Sequence, residues 1–372
     1  MLLIANVFWG CGRFIIANRI TFAPVKDIRR LSFTELQTAL SGMGEPPFRA
    51  NQVYEWLWKK GARSFDEMSN LSKSLRHRLR SEFVILPVQE NLVQRSQDGT
   101  IKLGMRLHDG RLIEGVMIPE ATRNTACVSS QVGCSLSCTF CATGMLKRER
   151  NLEPAEIYDQ VTLLNKHALA TTGRPLTNIV YMGMGEPLLN YDNVMESIRL
   201  ITSPQGLGMA PKRITVSTSG IARTIRRMAD EGVAINLALS LHAANDAKRT
   251  AIMDINRSNP IDEVMSALAY FYEKTGSKIT FEYILLNNFN DSPQDAEALA
   301  SLCRRFPVFV NIIEFNPVEG IPFKKTTREK REAFVNTLRR KNIPVAVRRS
   351  RGKDIDAACG QLANKNRNAS IN

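Results

Sequence analysis

The chain has 372 residues, of which 44% are hydrophobic and 23% are charged, as expected for a globular protein with a buried core. Lys and Arg outnumber Asp and Glu by 50 to 36, and the net charge of +14 favours an acidic partner, nucleic acid first, over a surface that is basic only for solubility. The seven cysteines are unevenly spaced, and the chain is too large for a disulfide-stapled secreted scaffold, so we expect a cytoplasmic protein with metal-binding or catalytic thiols.

Residues 1–26 are predicted to be an apolar N-terminal extension. Arg13 and Arg19 interrupt it, so it is too broken for a membrane span, and it lacks the basic start of a signal peptide. Residues 27–85 carry apolar residues at helical spacing in the stretches LSFTELQTALSGM, FRANQVYEWLWKKG and SKSLRHRLRSEF. They predict a small helical accessory domain whose basic face is either solvated or docks RNA.

Residues 86–122 are predicted to form a β-hairpin linker, because TIKLGMRLH and RLIEGVMIP flank the turn dipeptide Asp109-Gly110. Glu114 lies inside the second strand with apolar neighbours on both faces, where burial of a charge is costly. It is therefore either an edge-strand residue that points to water or an acid–base group with a tuned pKa. The pattern alone leaves both interpretations open.

Residues 123–352 alternate strand-like and helix-like segments. About six βα units in a row predict an α/β fold with a parallel sheet and outer helices, closed as an incomplete (β/α)6 barrel of the TIM type. Chemistry in such folds collects at the C-terminal ends of the strands. Residues 353–372 form a C-terminal tail, and its polar end ANKNRNASIN is predicted to be disordered.

A cysteine run, QVGCSLSCTFCATG, follows the first of these strands. Cys134, Cys138 and Cys141 have C-x3-C-x2-C spacing, and none of the four histidines forms a pair that would complete a zinc site. Three thiolates on one loop suit an iron–sulfur cluster better, and a four-iron cluster held by three cysteines leaves one iron open to a small ligand. The run, with Phe140 before its last cysteine, resembles the signature of radical S-adenosylmethionine enzymes.

Short polar groups follow the later strands, in the segments YMGMGEP, VSTSG, SLHA and EFNP. The glycines of the first segment allow close approach to the backbone, and the glutamate offers a carboxylate to an ammonium group. Ordinary alternatives are a strand-ending turn, a helix cap and a satisfied buried histidine. Together these strand ends predict a ring that holds one nucleoside-sized ligand, with the following cofactor-binding residues: Gly185, Glu186, Ser217, Ser240, His242 and Asn316.

Four further cysteines lie outside the run. Cys127 is in the first barrel strand and Cys359 is in RGKDIDAACGQL after the last one, so both are able to reach the barrel mouth despite their separation in sequence. The alternative is that both are buried structural thiols, which are common in protein cores. Cys11 and Cys303 are assigned to this structural class.

The segments SSQVGCSLSCTFCATG, YMGMGEPLLN, STSG, SLHA, EFNP and DIDAACGQL resemble the bacterial RlmN-type enzymes, which methylate carbon 2 of adenine in ribosomal and transfer RNA. The resemblance runs from the helical domain to Leu362. It implies a radical S-adenosylmethionine barrel, a [4Fe-4S] cluster and two S-adenosylmethionine molecules per turnover. It also implies action on adenosine 2503 of 23S rRNA and adenosine 37 of tRNA, a flavodoxin-type electron donor and a monomer.

The resemblance also implies a role for three residues. Cys359 accepts a methyl group from one S-adenosylmethionine, and a second one yields a 5′-deoxyadenosyl radical that removes hydrogen from that methyl group. The carbon then bonds to adenine carbon 2, Glu114 takes the proton there, and Cys127 releases the product through a transient Cys127–Cys359 disulfide. The mechanism is thus of the ping-pong type. Cys127 and Cys359 take part in the reaction, and Cys134, Cys138 and Cys141 are the metal ligands.

Two other functions remain open at this stage. Cfr-type enzymes methylate carbon 8 of adenine with the same cysteines, but their glycine motif lacks the proline that Pro187 supplies here, so carbon 2 is favoured. The alternative from another class is a metal-stabilised RNA-binding protein without catalysis. For RNA contact, the sequence offers the basic segments RRSRGK, FKKTTREKR and LKRER, each of which taken alone is more often a solvated face. The target base would have to leave its stack to reach the pocket.

Overall fold

The computed structural model describes residues 26–364, so the predicted N-terminal extension, Cys11 and most of the polar C-terminal end lie outside the described residues. Within residues 26–364, no helix combines the length and the apolar content that a membrane crossing needs.

Residues 26–85 form a small helical unit, and its three helices occupy the three stretches with helical spacing. Ser32 and Glu35 form a capping box at the start of the first helix, and Ser72 caps the third, so hydroxyl and carboxylate groups satisfy backbone groups at the helix starts. The elements are β1 Lys26–Asp27, α1 Phe33–Gly42, α2 Phe48–Trp58, α3 Lys73–Glu82 and β2 Phe83–Val84.

Three antiparallel strands follow: β3 Gln89–Arg95, β4 Ile101–Arg106 and β5 Leu112–Pro119. Strands β4 and β5 form the predicted hairpin around Asp109-Gly110, whereas β3 was not predicted from its polar sequence QENLVQR. Strand β5 also pairs with the first barrel strand, so the hairpin continues the main sheet. Because β5 has a neighbour on each side, the edge-strand interpretation of Glu114 is wrong, and its side chain is buried.

Seven parallel strands and their crossover helices form the barrel. The predicted six βα units are confirmed, and a seventh parallel strand closes the row. The strands are β6 Asn124–Cys127, β9 Asn178–Tyr181, β10 Ile214–Thr218, β11 Asn236–Ser240, β12 Ile279–Leu285, β13 Phe309–Glu314 and β14 Val345–Arg348. The helices are α4 Pro154–Thr172, α5 Tyr191–Thr202, α6 Ala222–Asp230, α7 Asp246–Ile252, α8 Ile261–Thr275, α9 Pro293–Leu302 and α10 Arg328–Arg340. A short antiparallel pair, β7 Gln131–Val132 and β8 Arg150–Asn151, lies between β6 and α4.

The sheet order is β14-β13-β12-β11-β10-β9-β6-β5-β4-β3, so each parallel strand lies beside the next one in the chain. All seven residues of β12 are buried, as expected for a strand in the middle of a sheet whose two faces are both covered. The C-terminal ends of the parallel strands therefore meet at one edge, where the predicted site residues follow them.

A buried charge cluster attaches the helical unit to the barrel. The Arg29 guanidinium donates two hydrogen bonds of 2.9 Å to the carboxylate of Asp159 on α4, and it also pairs with Asp27 at 3.2 Å. Two carboxylates neutralise this buried cation, which would otherwise be costly to remove from water. The Tyr158 hydroxyl adds a hydrogen bond to the Trp58 carbonyl across the same boundary.

Candidate active site

The cysteine run forms a loop whose two ends are held by the β7–β8 pair. Backbone pairing of Val132 with Arg150 closes the loop. Gly133, with φ +75°, lies so close to the returning segment of the loop that an added Cβ would be 2.2 Å from the Lys147 carbonyl oxygen. Only glycine fits a left-handed backbone under such contact. The three cysteines of the loop line one cavity at the C-terminal edge of the barrel.

The chemistry of these three thiols fits a thiolate-bound metal cluster. Burial raises the pKa of Cys134 to about 11, and burial together with the neighbouring thiols raises the pKa of Cys138 as well. Thiols with a raised pKa lose their protons readily only when a metal cation binds in place of the proton. Around them lies an apolar shell that includes Phe140 and Met253, which limits access of water. Among residues 26–364, no three His, Cys, Asp or Glu side chains converge on a single-ion position.

The glycines of YMGMGEP serve protein packing. A Cβ at Gly183 would be 2.7 Å from the Ser129 hydroxyl, and a Cβ at Gly185, where φ is +94°, would be 2.5 Å from Cβ of Gln131. The strand end therefore lies directly against the segment that leads into the cysteine loop. Gly185 still lines the cavity, so its predicted contact with a ligand stays a prediction.

Glu186 lines the same cavity and is buried. One carboxylate oxygen accepts a hydrogen bond from the Leu188 N–H at 3.0 Å, and the other accepts one from the Ser219 N–H at 2.8 Å. Desolvation raises the pKa of this carboxyl group, and the two N–H groups oppose the rise. Each carboxylate oxygen has a second lone pair, so acceptor capacity remains for the ammonium group predicted to bind here.

The predicted ring of polar groups is partly assembled. The hydroxyls of Ser217 and Ser240 are 3.4 Å apart and both line the cavity, as does His242. Burial lowers the pKa of His242 to about 3, and its Nδ1 accepts a hydrogen bond from the Ile284 N–H, so the neutral ring carries its proton on Nε2. The position of His242 does not follow from strand alternation with Ser240, because β11 ends at Ser240 and His242 has φ +57°.

Asn316 lies outside the cavity lining. Its side-chain amide donates a hydrogen bond to the Cys359 carbonyl at 3.2 Å.

Glu114 connects the hairpin to the C-terminal segment. Its carboxylate accepts hydrogen bonds from the N–H groups of Ala363 and Asn364 at 2.9 and 3.3 Å, and Lys102 Nζ is 3.6 Å away. The Ser129 hydroxyl donates to its backbone carbonyl at 2.6 Å, which places the residue at the barrel edge where the cysteine loop begins. Glu114 is not among the residues that line the cavity, so its predicted role in proton transfer stays a prediction.

Cys127 and Cys359 line the same cavity although they come from opposite ends of the barrel sequence. Both are free thiols. Backbone hydrogen bonding of Ala142 to Gly360 at 2.8 Å and a bond from the Thr143 hydroxyl to the Leu362 carbonyl at 2.6 Å hold the Cys359 segment against the cysteine loop. The structural-thiol alternative fits Cys303, which is buried at the end of α9.

Arg348, at the end of β14, and Glu282, on β12, are charged cavity residues that the sequence did not single out as such. Arg348 belongs to a segment predicted to contact phosphates, but it lines the cavity, where Nη1 is 3.6 Å from Glu282 Oε2 and 3.6 Å from Met182 Sδ. Burial raises the pKa of Cys127 to about 12. Cys359 is an exposed residue, but desolvation by neighbouring atoms also raises the pKa of its thiol, and the Arg348 cation opposes both shifts. The strand sequence Val345–Arg348 has no pattern that would have predicted a cavity-facing side chain at Arg348.

Two family models match the chain. The Radical SAM superfamily matches residues 128–302, and the ribosomal RNA large subunit methyltransferase N-terminal domain matches residues 26–85. A probable dual-specificity RNA methyltransferase RlmN of Cytophaga hutchinsonii is 55% identical over 365 residues, which cover 98% of this chain and 99% of that protein. The dual-specificity RNA methyltransferase RlmN of Anaeromyxobacter dehalogenans is 45% identical over 341 residues, 91% of each chain.

A solved structure is similar over the same length. The crystal structure of a radical SAM methyltransferase from Sphaerobacter thermophilus has a TM-score of 0.86 and 41% sequence identity, and the match covers 91% of this chain and 99% of that one. The sequence comparisons and the structural comparison thus both extend over the helical unit and the barrel. The chain belongs to the RlmN family of dual-specificity RNA methyltransferases, within the radical S-adenosylmethionine superfamily.

Proposed function

We propose that the chain methylates carbon 2 of adenosine in 23S rRNA and in tRNA, at adenosine 2503 and adenosine 37, by a ping-pong mechanism through an S-methylcysteine. The observation that carries the proposal is the shared cavity. It brings together the three thiols of the cysteine loop, Cys127, Cys359 and the polar strand ends. Carbon 2 of adenine is electron-poor and has no lone pair, so a direct attack on a methyl sulfonium is closed to it.

Membership of the family implies a [4Fe-4S] cluster and S-adenosylmethionine. Cys134, Cys138 and Cys141 would hold the cluster, and the strand ends from Gly185 to His242 would hold the nucleoside and amino-acid parts of the cofactor. When bound, the cluster and S-adenosylmethionine supply the one-electron chemistry that removes a hydrogen atom from a methyl group. Asn316 would act on the Cys359 segment, because its amide contacts the carbonyl of that residue.

Cys359 is the proposed methyl acceptor. Its thiolate would displace the methyl group from S-adenosylmethionine as substrate, which forms an S–CH3 bond and breaks the sulfonium–methyl bond. Desolvation in the cavity raises the pKa of this thiol, so the Arg348 cation, which opposes that rise, favours the reactive form. The segment's bonds to the cysteine loop keep the sulfur at the cavity.

Glu114 and Cys127 would complete the reaction once the Cys359 carbon is bonded to the base. Glu114 would accept the proton from carbon 2, since it is a buried carboxylate at the same barrel edge. Cys127 would then attack the Cys359 sulfur, which forms the disulfide and breaks the bond between that sulfur and the transferred carbon. That carbon would take up a proton to become the methyl group, and the one electron left over from the radical would pass to the bound cluster as its acceptor. An electron donor of the flavodoxin type, a monomeric state and a cytoplasmic location complete the proposal.

Methylation at carbon 8 is the second candidate, since it would use the same cysteines. Pro187 favours carbon 2: it begins a short 3-10 helix that Glu186 caps, so the family's glycine–glutamate–proline motif is complete here. A non-catalytic RNA-binding role would not explain why Cys127 and Cys359, two free thiols, line the same cavity.

Anaerobic purification tests the enzyme proposal first. We expect a brown protein with about four irons per chain that transfers labelled methyl groups from S-adenosylmethionine to ribosomal and transfer RNA when a reductant is present. Iron content, visible absorption and radiolabel in purified RNA are the measurements. A colourless protein that contains zinc and binds RNA without methylating it would replace the proposal with the non-catalytic alternative.

Two cations of the predicted RNA-contact segments are already engaged in ion pairs within the protein. Arg150 is paired with Asp109 and Glu156, and Arg331 is paired with Glu314. Several exposed cations near the barrel mouth have no ion pair among the described residues: Lys147, Arg148, Arg349 and Lys353. These four are the proposed phosphate contacts.

Charge reversal at Arg349 and Lys353 together is expected to weaken RNA binding roughly tenfold or more and to reduce the slope of log affinity against log salt by about 2. The matched control reverses Lys212 and Arg213, two exposed cations that precede β10 at the opposite end of the barrel. Salt-dependent filter binding measures both. Equal losses in the two variants would assign the effect to net charge rather than to a contact at the mouth.

A further inference from the structure

Arg249 on α7 is fully buried and has no part in the steps described above. Its guanidinium donates hydrogen bonds to the Ser219 carbonyl at 2.6 Å, the Asn256 side-chain oxygen at 2.7 Å and the Leu241 carbonyl at 3.1 Å. All of these acceptors are neutral. Among the described residues, no carboxylate lies within 4.0 Å of the guanidinium.

Arg29, the other buried arginine among the described residues, has ionic partners, whereas Arg249 has neutral ones. That buried guanidinium is paired with two aspartates, as a desolvated charge usually is. Asp246, on the same helix, uses its Oδ1 to accept hydrogen bonds from the Asn256 side chain and from the Ile261 N–H. Burial lowers the pKa of Arg249 to about 10, which still leaves it a cation at neutral pH. Within residues 26–364, this buried positive charge therefore has no carboxylate partner in direct contact.

The cysteine loop, on which α7 packs, offers Arg249 a counter-charge. The C-terminal end of α7 packs on that loop, where the Thr139 N–H donates to the Ile252 carbonyl at 3.1 Å. Cys138 and Arg249 influence each other electrostatically, since the cation favours the thiolate. Met253 and Phe140 pack in the same apolar shell, so the interaction takes place in a region of low polarity, where charges act strongly.

We propose that Arg249 is the positioning and charge-balancing residue of the iron–sulfur site: its cation offsets the thiolate charge and makes the cluster easier to reduce. This inference rests on the proposed cluster. Three thiolates outweigh the charge of an oxidised four-iron core, and one-electron reduction adds a further negative charge, so a nearby buried cation stabilises the reduced form more. The same guanidinium joins Ser219 to the end of β11, which fixes the predicted cofactor-binding strand ends relative to the loop.

The test separates charge from scaffold in the iron-loaded, full-length chain. Arg249→Met removes the cation, Arg249→Gln removes it but keeps a hydrogen-bond donor, and Arg249→Lys keeps the cation but loses the planar fork. Asn256→Ala is the matched control, because it removes a neutral partner of the guanidinium and leaves the charge in place. The measurements are iron content and the midpoint potential from a spectroscopically followed redox titration.

We expect the neutral variants to shift the reduction equilibrium at least tenfold toward the oxidised cluster, which is about 59 mV for one electron. Arg249→Lys and Asn256→Ala are expected to stay closer to the unsubstituted protein. Iron retained by Arg249→Lys but lost from both neutral variants also supports charge balance. Equal potentials in Arg249→Lys and Arg249→Gln, or loss of iron from all three Arg249 variants, would overturn it in favour of a scaffold role. Absence of iron from the unsubstituted chain would end the proposed function, and this inference with it.

Discussion

Replacing Cys359 with alanine is expected to abolish methyl acceptance by the protein and to lower RNA methylation by at least about 1,000-fold, because no other group can carry the methyl in its place. The iron content should stay unchanged, since the three cysteines of the loop are untouched. The loop contacts of the segment use backbone groups of Gly360 and Leu362, which the substitution leaves in place. Radiolabel from S-adenosylmethionine on the denatured protein measures methyl acceptance directly.

Cys303→Ala is the matched control, since it removes a thiol that is buried at the end of α9 and is not among the residues that line the cavity. That variant should accept methyl groups as the unsubstituted chain does. Protein methylation retained in Cys359→Ala would show that another residue is the acceptor and would remove Cys359 from the mechanism.

Replacing Cys127 with alanine is expected to trap the reaction after carbon–carbon bond formation. Without the second thiol, nothing resolves the thioether between Cys359 and the base, so RNA stays attached to the protein. Burial raises the pKa of Cys127 to about 12, and the Arg348 cation opposes this rise, so we expect Arg348 to favour the attacking thiolate. A covalent RNA–protein band on a denaturing gel is the expected result.

The double variant Cys127→Ala/Cys359→Ala is the control for this adduct, and it should give no such band. Multiple turnover by Cys127→Ala, with free methylated RNA and no adduct, would contradict the role of Cys127. Activity of Cys127→Ala that returns with an added small thiol would agree with a purely resolving function.

The fold followed from the sequence because its signals are local. Alternating apolar strands and amphipathic helices predict the parallel barrel, and the Asp109-Gly110 turn predicts the β4–β5 hairpin. Strand β3 escaped because its sequence is polar and its place in the sheet depends on pairing with β4. The burial of Glu114 likewise depends on contacts across the fold, with Lys102 on β4 and with the backbone of Ala363 and Asn364 near the C-terminal end.

The site was predictable where function requires a spacing along the chain, and unpredictable where it requires contacts across the fold. The cysteine run and the strand-end segments have fixed local patterns. Arg348 and Arg249 carry no such pattern, since one faces the cavity only through the direction of β14 and the other only through the packing of α7 on the cysteine loop. The glycines of YMGMGEP were interpreted as space for a ligand, whereas the segment around Ser129 and Gln131 fills that space.

The position of the methyl group on adenine tests the central claim most directly. RNA methylated by the purified, iron-loaded enzyme would be digested to nucleosides and compared by tandem mass spectrometry with authentic 2-methyladenosine and 8-methyladenosine. The account predicts 2-methyladenosine from both 23S rRNA and tRNA. 8-Methyladenosine as the main product would contradict it and assign the carbon-8 reaction to this cavity.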